Sequence, residues 1–531
     1  MVFSIALAAL ALLVLAGSLA PAELAALMQT ALGGSIAYGG WFYLLVVFFI
    51  VAFLLYLGFS RFGKLRIGGE DAVPEFSAPT WFAMLFSAGM GIGLVFWGAA
   101  EPIAHFAEPP PGVDPLGNAA ARAALRYSFF HWGLHPWAIY AVLGLAMAWF
   151  KFNHGRRGLI SELLRPLCGR WVDGWFGRLV DILAIIATAI GVATSLGFGA
   201  LQIGAGLEHV FGLPQNTATR LGIIAAAMVL YLLSATTGLH RGIKWLSNLN
   251  MGLAIALLLA VFVFGPTGFI FDTFTSTLGQ YLNNLPEMSL RMTPFSRGTW
   301  VADWTIFYWA WWISWAPFVG SFIAQVSRGR TIREFISGVL AVPALVSFIW
   351  FAALGGTALH MQIEGDANLL AAFAEGAEQV LFRMLDVLPW SIVLSVLATT
   401  LLLSFFVTSA DSATLVLATM SSDGDMNPPA WKKLVWGVAQ AAVAAILLVA
   451  GGLEGLQSMA IISALPFTLV LLAVCFSLLR VLREDEERAE HEELAFRQAV
   501  RRWMRDEGGA QVPSAPAPKD PSPVAPQDPT V

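Results

Sequence analysis

Apolar residues recur along the chain in blocks of about twenty, separated by shorter polar or charged segments. A helix of that length crosses the ~30 Å hydrocarbon core of a lipid bilayer. Twelve such blocks can be delimited, at 2–20, 40–60, 81–98, 127–149, 180–203, 219–236, 246–270, 300–324, 335–358, 390–419, 431–451 and 459–481. The pattern therefore predicts an all-α polytopic membrane protein with 12 transmembrane helices.

Composition narrows the class further. Of the 531 residues, 57% are hydrophobic and only 12% are charged, about half the charged fraction of soluble domains. The short alternating apolar and polar segments of a membrane β-barrel do not occur. The net charge of -5 does not indicate nucleic acid as a partner, and two cysteines, Cys168 and Cys475, offer neither a disulfide framework nor a metal cluster. Of the protein classes considered, these observations leave a helical membrane protein.

The loop charges predict an orientation. Sixteen Lys and Arg residues fall in the even-numbered connections between spans, and six fall in the odd-numbered ones. Because Lys and Arg concentrate in cytoplasmic loops, both termini are predicted to be cytoplasmic, with the chain in a bacterial inner (plasma) membrane. Two odd-numbered connections, 271–299 and 359–389, are long enough to form amphipathic helices at the membrane surface.

Two spans contain residues that are unusual within a membrane helix. The third has glycines at alternate positions, 89, 91 and 93, which favour either an interrupted helix or close packing between helices. In the eighth, Pro317 and Gly320 follow a Trp cluster and predict a second interruption. Paired broken helices indicate the central site of a transporter. Since these spans lie five apart, we expect a five-plus-five inverted repeat (LeuT-type) fold with two extra N-terminal helices.

This interpretation divides the chain into four parts. Residues 1–80 supply two helices and a basic loop, 81–298 the first repeat (spans 3–7) and a surface helix, and 299–481 the second repeat (spans 8–12). Residues 482–531 form a charged cytoplasmic helix followed by a disordered tail rich in Pro and Ala. The charged helix is compatible with simple solvation or with a regulatory contact to lipid headgroups or a neighbouring subunit.

Aromatic residues cluster inside two spans. The eighth has four Trp residues within 309–315, and the fourth has Trp132, Trp137 and Tyr140 at spacings that share one broad face of a continuous helix. Interfacial belts place Trp at helix ends and explain a cluster in mid-span poorly. A quaternary ammonium group cannot donate a hydrogen bond and is attracted instead by aromatic faces. These residues therefore predict an aromatic cage for an onium head group.

Three strings carry a family resemblance. GMGIGLVFWGAAEP from Gly89, HWGLHPWAIY from His131 and WTIFYWAWWISWAPFVGSF from Trp304 resemble the betaine/carnitine/choline transporter family. The resemblance extends from the first span to the twelfth. It implies a homotrimer that contacts membrane lipids, with no catalytic residues and no cofactor apart from a coupling sodium ion.

The resemblance also implies site residues. An aromatic box surrounds the trimethylammonium group, two more Trp residues flank it, and the glycine stretch faces the substrate. These are Trp132, Trp137, Tyr140 and Trp312, then Trp311 and Trp315, then Gly89, Met90, Gly91 and Gly93. Choline-type members tend to carry Asp where this chain has Gly93, so the glycine favours a zwitterion such as betaine.

A sodium site is implied between the third and tenth spans. Its residues are Ala88 (or Ser87), Met90, Phe405, Thr408 and Ser409. Carbonyl and hydroxyl oxygens suit a hard cation, although the hydroxyls are also compatible with local capping of a kinked helix. For a possible second sodium, Thr188 and Phe318 match the family pattern. Val192 stands where another hydroxyl is expected, which leaves that second ion in doubt.

The sequence thus predicts import of an onium compatible solute, with glycine betaine first, by sodium-coupled symport and alternating access in osmoprotection. Alternatives are sodium-independent exchange of the carnitine or betaine type and osmosensing uptake of ectoine or sulfonium solutes. An embedded enzyme would need Glu101, His131, His135 and Asp303, which are scattered in sequence. The two histidines, four residues apart, lack a carboxylate or Cys to complete a metal site. Asp411 is an intramembrane charge that tunes the cation site or pairs locally.

Overall fold

The structure is a computed structural model that describes residues 1–89, 91–237, 240–295 and 298–505. For 86–89, 236–237, 240–244 and 502–505 it describes the backbone alone. The α-helices are α1 Val2–Leu19, α2 Pro21–Phe59, α3 Ala78–Gly89, α4 Ile92–Ala107, α5 Asn118–Trp132, α6 Leu134–Phe152, α7 Arg165–Cys168, α8 Trp175–Phe211, α9 Thr217–Thr237, α10 His240–Phe264, α11 Thr267–Ser289, α12 Phe307–Val326, α13 Ile332–Trp350, α14 Gly356–Glu364, α15 Leu369–Glu375, α16 Val380–Val387, α17 Ser391–Met420 and α18 Ala430–Arg505.

Shorter helical turns join several of these elements. Four are 3₁₀ turns and two are π turns, at Arg61–Lys64, Ser161–Leu164, Gly169–Asp173 and Ala377–Gln379, and at Ala302–Ile306 and Phe351–Gly355. Within the described ranges the chain is otherwise loop, apart from one isolated β-bridge between Arg66 and Thr331. The predicted all-α, multi-pass membrane class is therefore confirmed.

The described residues contain nine helical segments long and apolar enough to cross a membrane. They overlap the predicted spans with differences in extent. α2 begins at Pro21, nineteen residues before the predicted start of the second span. Conversely, the last two predicted spans form one helical run, α18, whose only non-helical residue is Gly452, with φ of 57°. Glycine adopts that left-handed conformation without the strain that a Cβ would cause.

The predicted interruption of the eighth span is wrong. α12 continues through Pro317 and Gly320, and the irregular turn lies earlier, at Ala302–Ile306. Gly320 has a packing role instead, because a Cβ there would lie 3.1 Å from the backbone nitrogen of Gly144 in α6. The missing side chain lets α12 and α6 approach closely, as small residues do between membrane helices.

Replacing Gly320 with Val should separate α12 from α6 and destabilise the protein by about 1–3 kcal/mol. The measurement is the thermal unfolding midpoint in detergent. Gly252 of α10 is the matched control, since a Cβ at this position meets no heavy atom within 4 Å. If Gly320→Val melts at the temperature of Gly252→Val, the close packing does not contribute to stability.

α12 occupies the centre of the described fold and packs against α6, α8 and α18. α17 packs against α8 and α10, and α4 packs against α5 and α8. The aromatic stretch of α12 is buried on every side, with Tyr308, Trp309 and Trp311 at most 2% exposed. The residues predicted for the site therefore lie among helices and away from lipid.

The charged helix at the end of α18 contacts the rest of the chain. Asp485 accepts hydrogen bonds from the Trp149 indole at 2.9 Å and from the His154 ring at 2.7 Å. Glu486 forms an ion pair with Arg61 at 2.9 Å. The solvated helix expected from charge alone is therefore docked along part of its length.

Candidate functional site

Seven of the predicted aromatic and glycine residues meet at one small cavity between α4, α5, α6, α8, α12 and α17. It is lined by Gly91, Ile92, Gly93, Leu94, Trp132, Tyr140, Ser195, Trp311, Trp312, Trp315 and Ser409. Its volume is about 20 Å³, room for about one water molecule. The surrounding rings must separate before a solute with a trimethylammonium group can enter.

The broken third span forms one wall of this cavity. α3 ends at Gly89 and α4 begins at Ile92, and Gly91 between them has extended backbone, with φ of -158° and ψ of -156°. The predicted interruption is confirmed. The first amides of a helix lack a carbonyl partner one turn earlier in that helix. The start of α4 therefore brings the N–H groups of Ile92 and Gly93 to the cavity, while that of Leu94 donates to the Gly91 carbonyl at 3.2 Å.

Side chains from other helices hold α4 in place. The Trp350 indole donates to the Leu94 carbonyl at 2.9 Å, and the Gln202 amide donates to the Val95 carbonyl at 3.4 Å. Both acceptors lie in the first turn of α4. These bonds fix the position of the helix N-terminus relative to α8 and α13.

The aromatic rings meet mostly edge to face. Trp132 and Trp312 have centroids 4.8 Å apart with planes at 74°, and Tyr140 meets Trp312 at 6.3 Å and 81°. Trp311 stacks on Trp312 at 4.6 Å and 17°. Edge-to-face rings are a favourable arrangement, and here they place π faces on several sides of one small volume.

Each indole N–H at the cavity is bonded to an acceptor in the protein. Trp311 donates to the Ser195 hydroxyl at 3.2 Å, Trp312 to the His131 carbonyl at 3.0 Å, and Trp315 to the Gly191 carbonyl at 2.9 Å. Trp132 donates to a carboxylate oxygen of Glu101 at 2.8 Å. The indoles therefore offer the cavity their faces and no free donor.

Gly93 allows two of these rings to approach α4. A Cβ at this position would overlap the Trp311 ring and lie 3.1 Å from the Trp132 ring. Both neighbours are rigid, and both are at most 4% exposed, so they have little room to yield. The glycine is a steric requirement of the closed box, in addition to the substrate preference predicted from it.

Replacing Gly93 with Ala should displace Trp311 and Trp132 and weaken solute binding by about tenfold or more, equivalent to about 1.4 kcal/mol. Equilibrium binding to the purified protein measures the effect. Gly91→Ala is the matched comparison: it lines the same cavity, yet the nearest atom to its Cβ is the Ser409 hydroxyl oxygen at 3.8 Å. A loss at Gly91→Ala as large as that at Gly93→Ala would contradict the steric explanation.

The prediction that Trp132, Trp137 and Tyr140 share one face of a continuous helix is wrong. The fourth span is interrupted at Gly133, so Trp132 ends α5 while Trp137 and Tyr140 belong to α6. Trp137 packs edge to face on Tyr140 at 5.7 Å. Tyr140 lines the cavity, whereas Trp137 does not. Trp137 therefore contributes to the box by packing against Tyr140.

Of the residues predicted for the sodium site, Ser409 reaches the same cavity, and Thr408 precedes it on α17. Ser409 lines the cavity opposite Gly91. The Thr408 hydroxyl accepts a hydrogen bond from the Asn250 amide at 2.9 Å and donates within α17 toward the Ser404 carbonyl, at 2.9 Å. Such back-bonding is the local role that we considered for these hydroxyls. However, α17 is one unbroken helix, so there is no kink for them to cap.

The helix α10 lies next to Thr408 and contributes a further polar residue, Asn250. Asn250 is buried, and its carbonyl oxygen has no hydrogen-bond partner among the described residues. Sequence reasoning missed it, because the two Asn residues of this apolar span, Asn248 and Asn250, form no motif. Phe405 lies one turn before Ser409 on α17. Of the other predicted ligands, Ala88 has its backbone in α3, and Met90 lies outside the described residues.

The pair predicted for a second sodium lies elsewhere. The Thr188 hydroxyl donates to the Ala184 carbonyl of its own helix at 2.8 Å, and Val192 is buried one turn later. Phe318 packs on Trp315 and lines a separate cavity of about 350 Å³ together with Asp411 and Lys433. Asp411 therefore faces that second cavity and does not line the aromatic one.

A buried carboxylate cluster adjoins the box, and the sequence prediction of scattered acid and base groups is wrong on this point. Glu101 Oε1 lies 2.7 Å from His131 Nδ1 and 3.3 Å from His105 Nε2. Ligand atoms of the three residues all lie within 4.8 Å of one another. The carboxylate that the sequence did not pair with His131 is thus supplied by α4, thirty residues earlier.

The other two candidate groups are not part of this cluster. His135 bonds to the Ser289 hydroxyl at 2.9 Å and stacks on Trp309 at 5.0 Å. Asp303 is exposed. Glu101 follows the predicted third span by three residues and lies four residues before His105, and this spacing was the available signal for the cluster.

Comparison with known proteins supports a transport role for this fold. Residues 1–487 match the family model described as "BCCT, betaine/carnitine/choline family transporter". The chain is 50% identical over 486 residues to the glycine betaine transporter OpuD of Bacillus subtilis, covering 91% of this chain and 94% of that protein. It is 46% identical over 482 residues to an ectoine/hydroxyectoine transporter of Virgibacillus pantothenticus, covering 91% and 96%.

A third relative is glycine betaine transporter 1 of Vibrio parahaemolyticus, 43% identical over 455 residues, which cover 84% of this chain and 86% of that protein. The family match includes every helix that lines the aromatic cavity. Both the family and these relatives are transporters, and the relatives are aligned over nearly their whole length. This chain therefore belongs to the betaine/carnitine/choline family of transporters.

Proposed function

We propose that the protein imports an onium compatible solute, with glycine betaine as the first candidate, by sodium-coupled symport and alternating access. The observation that carries the proposal is the aromatic cavity whose indole N–H groups are all bonded to protein acceptors. A polar head group that needs hydrogen bonds would find few there. A methylated cation needs only π faces, which contribute about 2 kcal/mol or more when the cation is desolvated.

The start of α4 suits the other end of a zwitterion. Gly91 and Gly93 line the cavity beside the Trp132, Trp311 and Trp312 rings. Helix N-termini attract anions through free amides and the positive end of the helix dipole. A solute with a quaternary ammonium and a carboxylate can thus place one charge on the rings and the other against α4. A solute without the carboxylate would use only half of the site.

Sodium is proposed to bind between α17 and the break in the third span. Hydroxyl oxygens of Thr408 and Ser409 would serve as ligands, with backbone carbonyls of Ala88, Met90 and Phe405. The carbonyl oxygen of Asn250, which has no hydrogen-bond partner in the described part of the chain, is a further ligand of the kind that a hard cation prefers, and its side chain is bonded to Thr408. Such a site would link ion binding to the arrangement of Gly91 and α4. The place for a second sodium near Thr188 and Phe318 has no comparable set, so we propose one ion.

The closed cavity supports alternating access. With room for about one water, the box has to expand to admit solute, and the interrupted third span is the natural place for a backbone change. We propose that the protein has 12 spans and that the two five-helix repeats among them rearrange around this cavity. We also propose that both termini are cytoplasmic, with the protein in a bacterial inner membrane, and that the protein is a homotrimer surrounded by lipid. Osmotic regulation would act through the docked end of α18.

Solute binding and uptake test this proposal directly. The purified chain is expected to bind glycine betaine, measured by Trp fluorescence against a panel including carnitine, choline, ectoine and a sulfonium analogue. The similarity to an ectoine transporter makes ectoine the main competitor. In proteoliposomes, uptake is expected to require an inward sodium gradient. Binding of no onium solute would refute the substrate, and undiminished uptake without sodium would refute the symport in favour of exchange.

A further inference from the structure

Glu101 lies behind the aromatic box and is wholly buried. It does not line the cavity, but one of its carboxylate oxygens, Oε2, accepts hydrogen bonds from Trp132, which lines the cavity, and from Tyr308, which does not. The Trp132 indole donates at 2.8 Å and the Tyr308 hydroxyl at 2.5 Å. Trp132 is the wall between Glu101 and the cavity, and Tyr308 stacks on Trp312 at 5.9 Å.

The other oxygen, Oε1, faces two histidines whose surroundings suit neutral rings. His131 Nδ1 lies 2.7 Å from it, and His131 Nε2 lies 3.0 Å from the Thr305 hydroxyl, which can donate. His105 Nε2 lies 3.3 Å away, while its Nδ1 has no hydrogen-bond partner among the described residues. A proton on that second nitrogen would be buried without an acceptor, which is unfavourable.

Four donors around one carboxylate are what an ionised, acceptor-only group requires. With neutral histidines, each of the four donors is used by the carboxylate, yet among the described residues no formally positive group lies beside the negative charge. A buried charge without a counter-charge is costly. Among the described residues the cluster contains no compensating cation, and the Trp132 ring that is bonded to Glu101 lines the aromatic cavity.

We propose that Glu101 is the counter-charge of the onium head group and acts through the Trp132 ring whose N–H it holds. The inference rests on the proposed onium substrate. A carboxylate bonded to the indole N–H raises the electron density of the ring, which strengthens its attraction for a cation. The low dielectric of the buried site strengthens the direct attraction as well. Glu101 is therefore a positioning and specificity residue, selecting a cationic head over a neutral head of equal shape.

The alternative use of this cluster, a metal ion bound by Glu101, His105 and His131, is less consistent with the contacts. Oε2 is already occupied by Trp132 and Tyr308, and Oε1 lies at hydrogen-bond distance from His131. A bound ion would have to displace the latter contact. The hydrogen bonds account for the close approach without a metal.

The test compares two ligands in the full-length protein: glycine betaine and 3,3-dimethylbutanoate, its carbon isostere with an uncharged tert-butyl head. Glu101→Gln keeps the size of the side chain, and its carbonyl oxygen can still accept from Trp132 and Tyr308. The variant is expected to bind glycine betaine at least tenfold more weakly, while the isostere binds no more weakly than to wild type. A purely structural role would weaken both ligands by the same factor.

Asp181→Asn is the matched control, because Asp181 is another buried carboxylate, bonded to Ser161 and distant in the fold from the box. It should leave both affinities within about twofold of wild type. Should Glu101→Gln fail to fold, Trp132→Phe removes the N–H that joins the ring to Glu101. It should lose more of the preference for glycine betaine over the isostere than Trp312→Phe, which makes the same ring exchange at an indole that is not bonded to Glu101; an equal loss would overturn the role of Glu101.

The outcomes separate this inference from the proposed function. If wild type binds glycine betaine and Glu101→Gln retains that affinity within threefold, or loses both ligands equally, the counter-charge role is overturned and the transport proposal stands. If wild type binds no onium solute at all, the proposed function fails first. A selective loss of the cationic ligand establishes the role of Glu101.

Discussion

Trp312→Ala is expected to reduce onium binding by at least 30-fold and to abolish measurable uptake. Trp312 contacts Trp132, Tyr140 and Trp311, so its removal deletes one π face and loosens three neighbouring rings. Loss of about 2 kcal/mol from one desolvated cation–π contact corresponds to roughly a 30-fold weaker affinity. Equilibrium binding of glycine betaine measures the first effect, and uptake into proteoliposomes measures the second.

Two other variants test whether loss of the aromatic face of Trp312 causes the weaker binding. Trp312→Phe keeps an aromatic face but loses the hydrogen bond to the His131 carbonyl, and it should retain much of the affinity. Trp175→Ala is the control for losing an indole, since Trp175 is 68% exposed at the start of α8 and should bind like wild type. Wild-type affinity in Trp312→Ala would show that the box is not the onium site.

Thr408→Val is expected to raise the sodium concentration that half-saturates uptake by about tenfold or more. Valine matches threonine in shape but removes the oxygen that would bind the ion and that accepts from the Asn250 amide. At saturating sodium, the affinity for solute should return toward that of wild type, because Thr408 does not line the aromatic cavity. Uptake measured over a range of sodium concentrations at fixed membrane potential tests this.

Thr400→Val provides the control on the same helix. The Thr400 hydroxyl is exposed and donates to the Val396 carbonyl at 2.8 Å, so it shares the back-bonding of Thr408 without facing α10. Its sodium dependence should equal that of wild type. If Thr408→Val shows the same sodium dependence as Thr400→Val, the hydroxyl of Thr408 serves the helix alone and the sodium site lies elsewhere.

The pattern of apolar residues and glycines along the sequence was enough to predict the membrane class and the position of the site. Blocks of apolar residues report burial in lipid or protein whatever their partners are, and glycines at 89, 91 and 93 weaken any helix that contains them. The interruption before Ile92 followed from that local property. Pro317 was misleading because its helix keeps its course through packing with α6, which local propensity does not encode.

The sequence did not predict which side chains from distant parts of the chain form hydrogen bonds with each other. Glu101 and His131 lie on different helices, and so do Thr408 and Asn250, yet each pair is within hydrogen-bond distance. Pairing of this kind depends on the relative rotation and depth of whole helices. A one-residue irregularity such as Gly133 changes that rotation, which is why the face predicted for Trp132, Trp137 and Tyr140 was drawn incorrectly.

The sequence by itself determined a helical membrane protein with an aromatic cluster and a glycine-broken span, because hydrophobic periodicity and backbone propensity are local properties. The tertiary structure decided which rings share a cavity, where their N–H groups bond and which buried charge stands behind them. Those features depend on contacts between helices far apart in the chain, and no spacing along the sequence specifies such contacts.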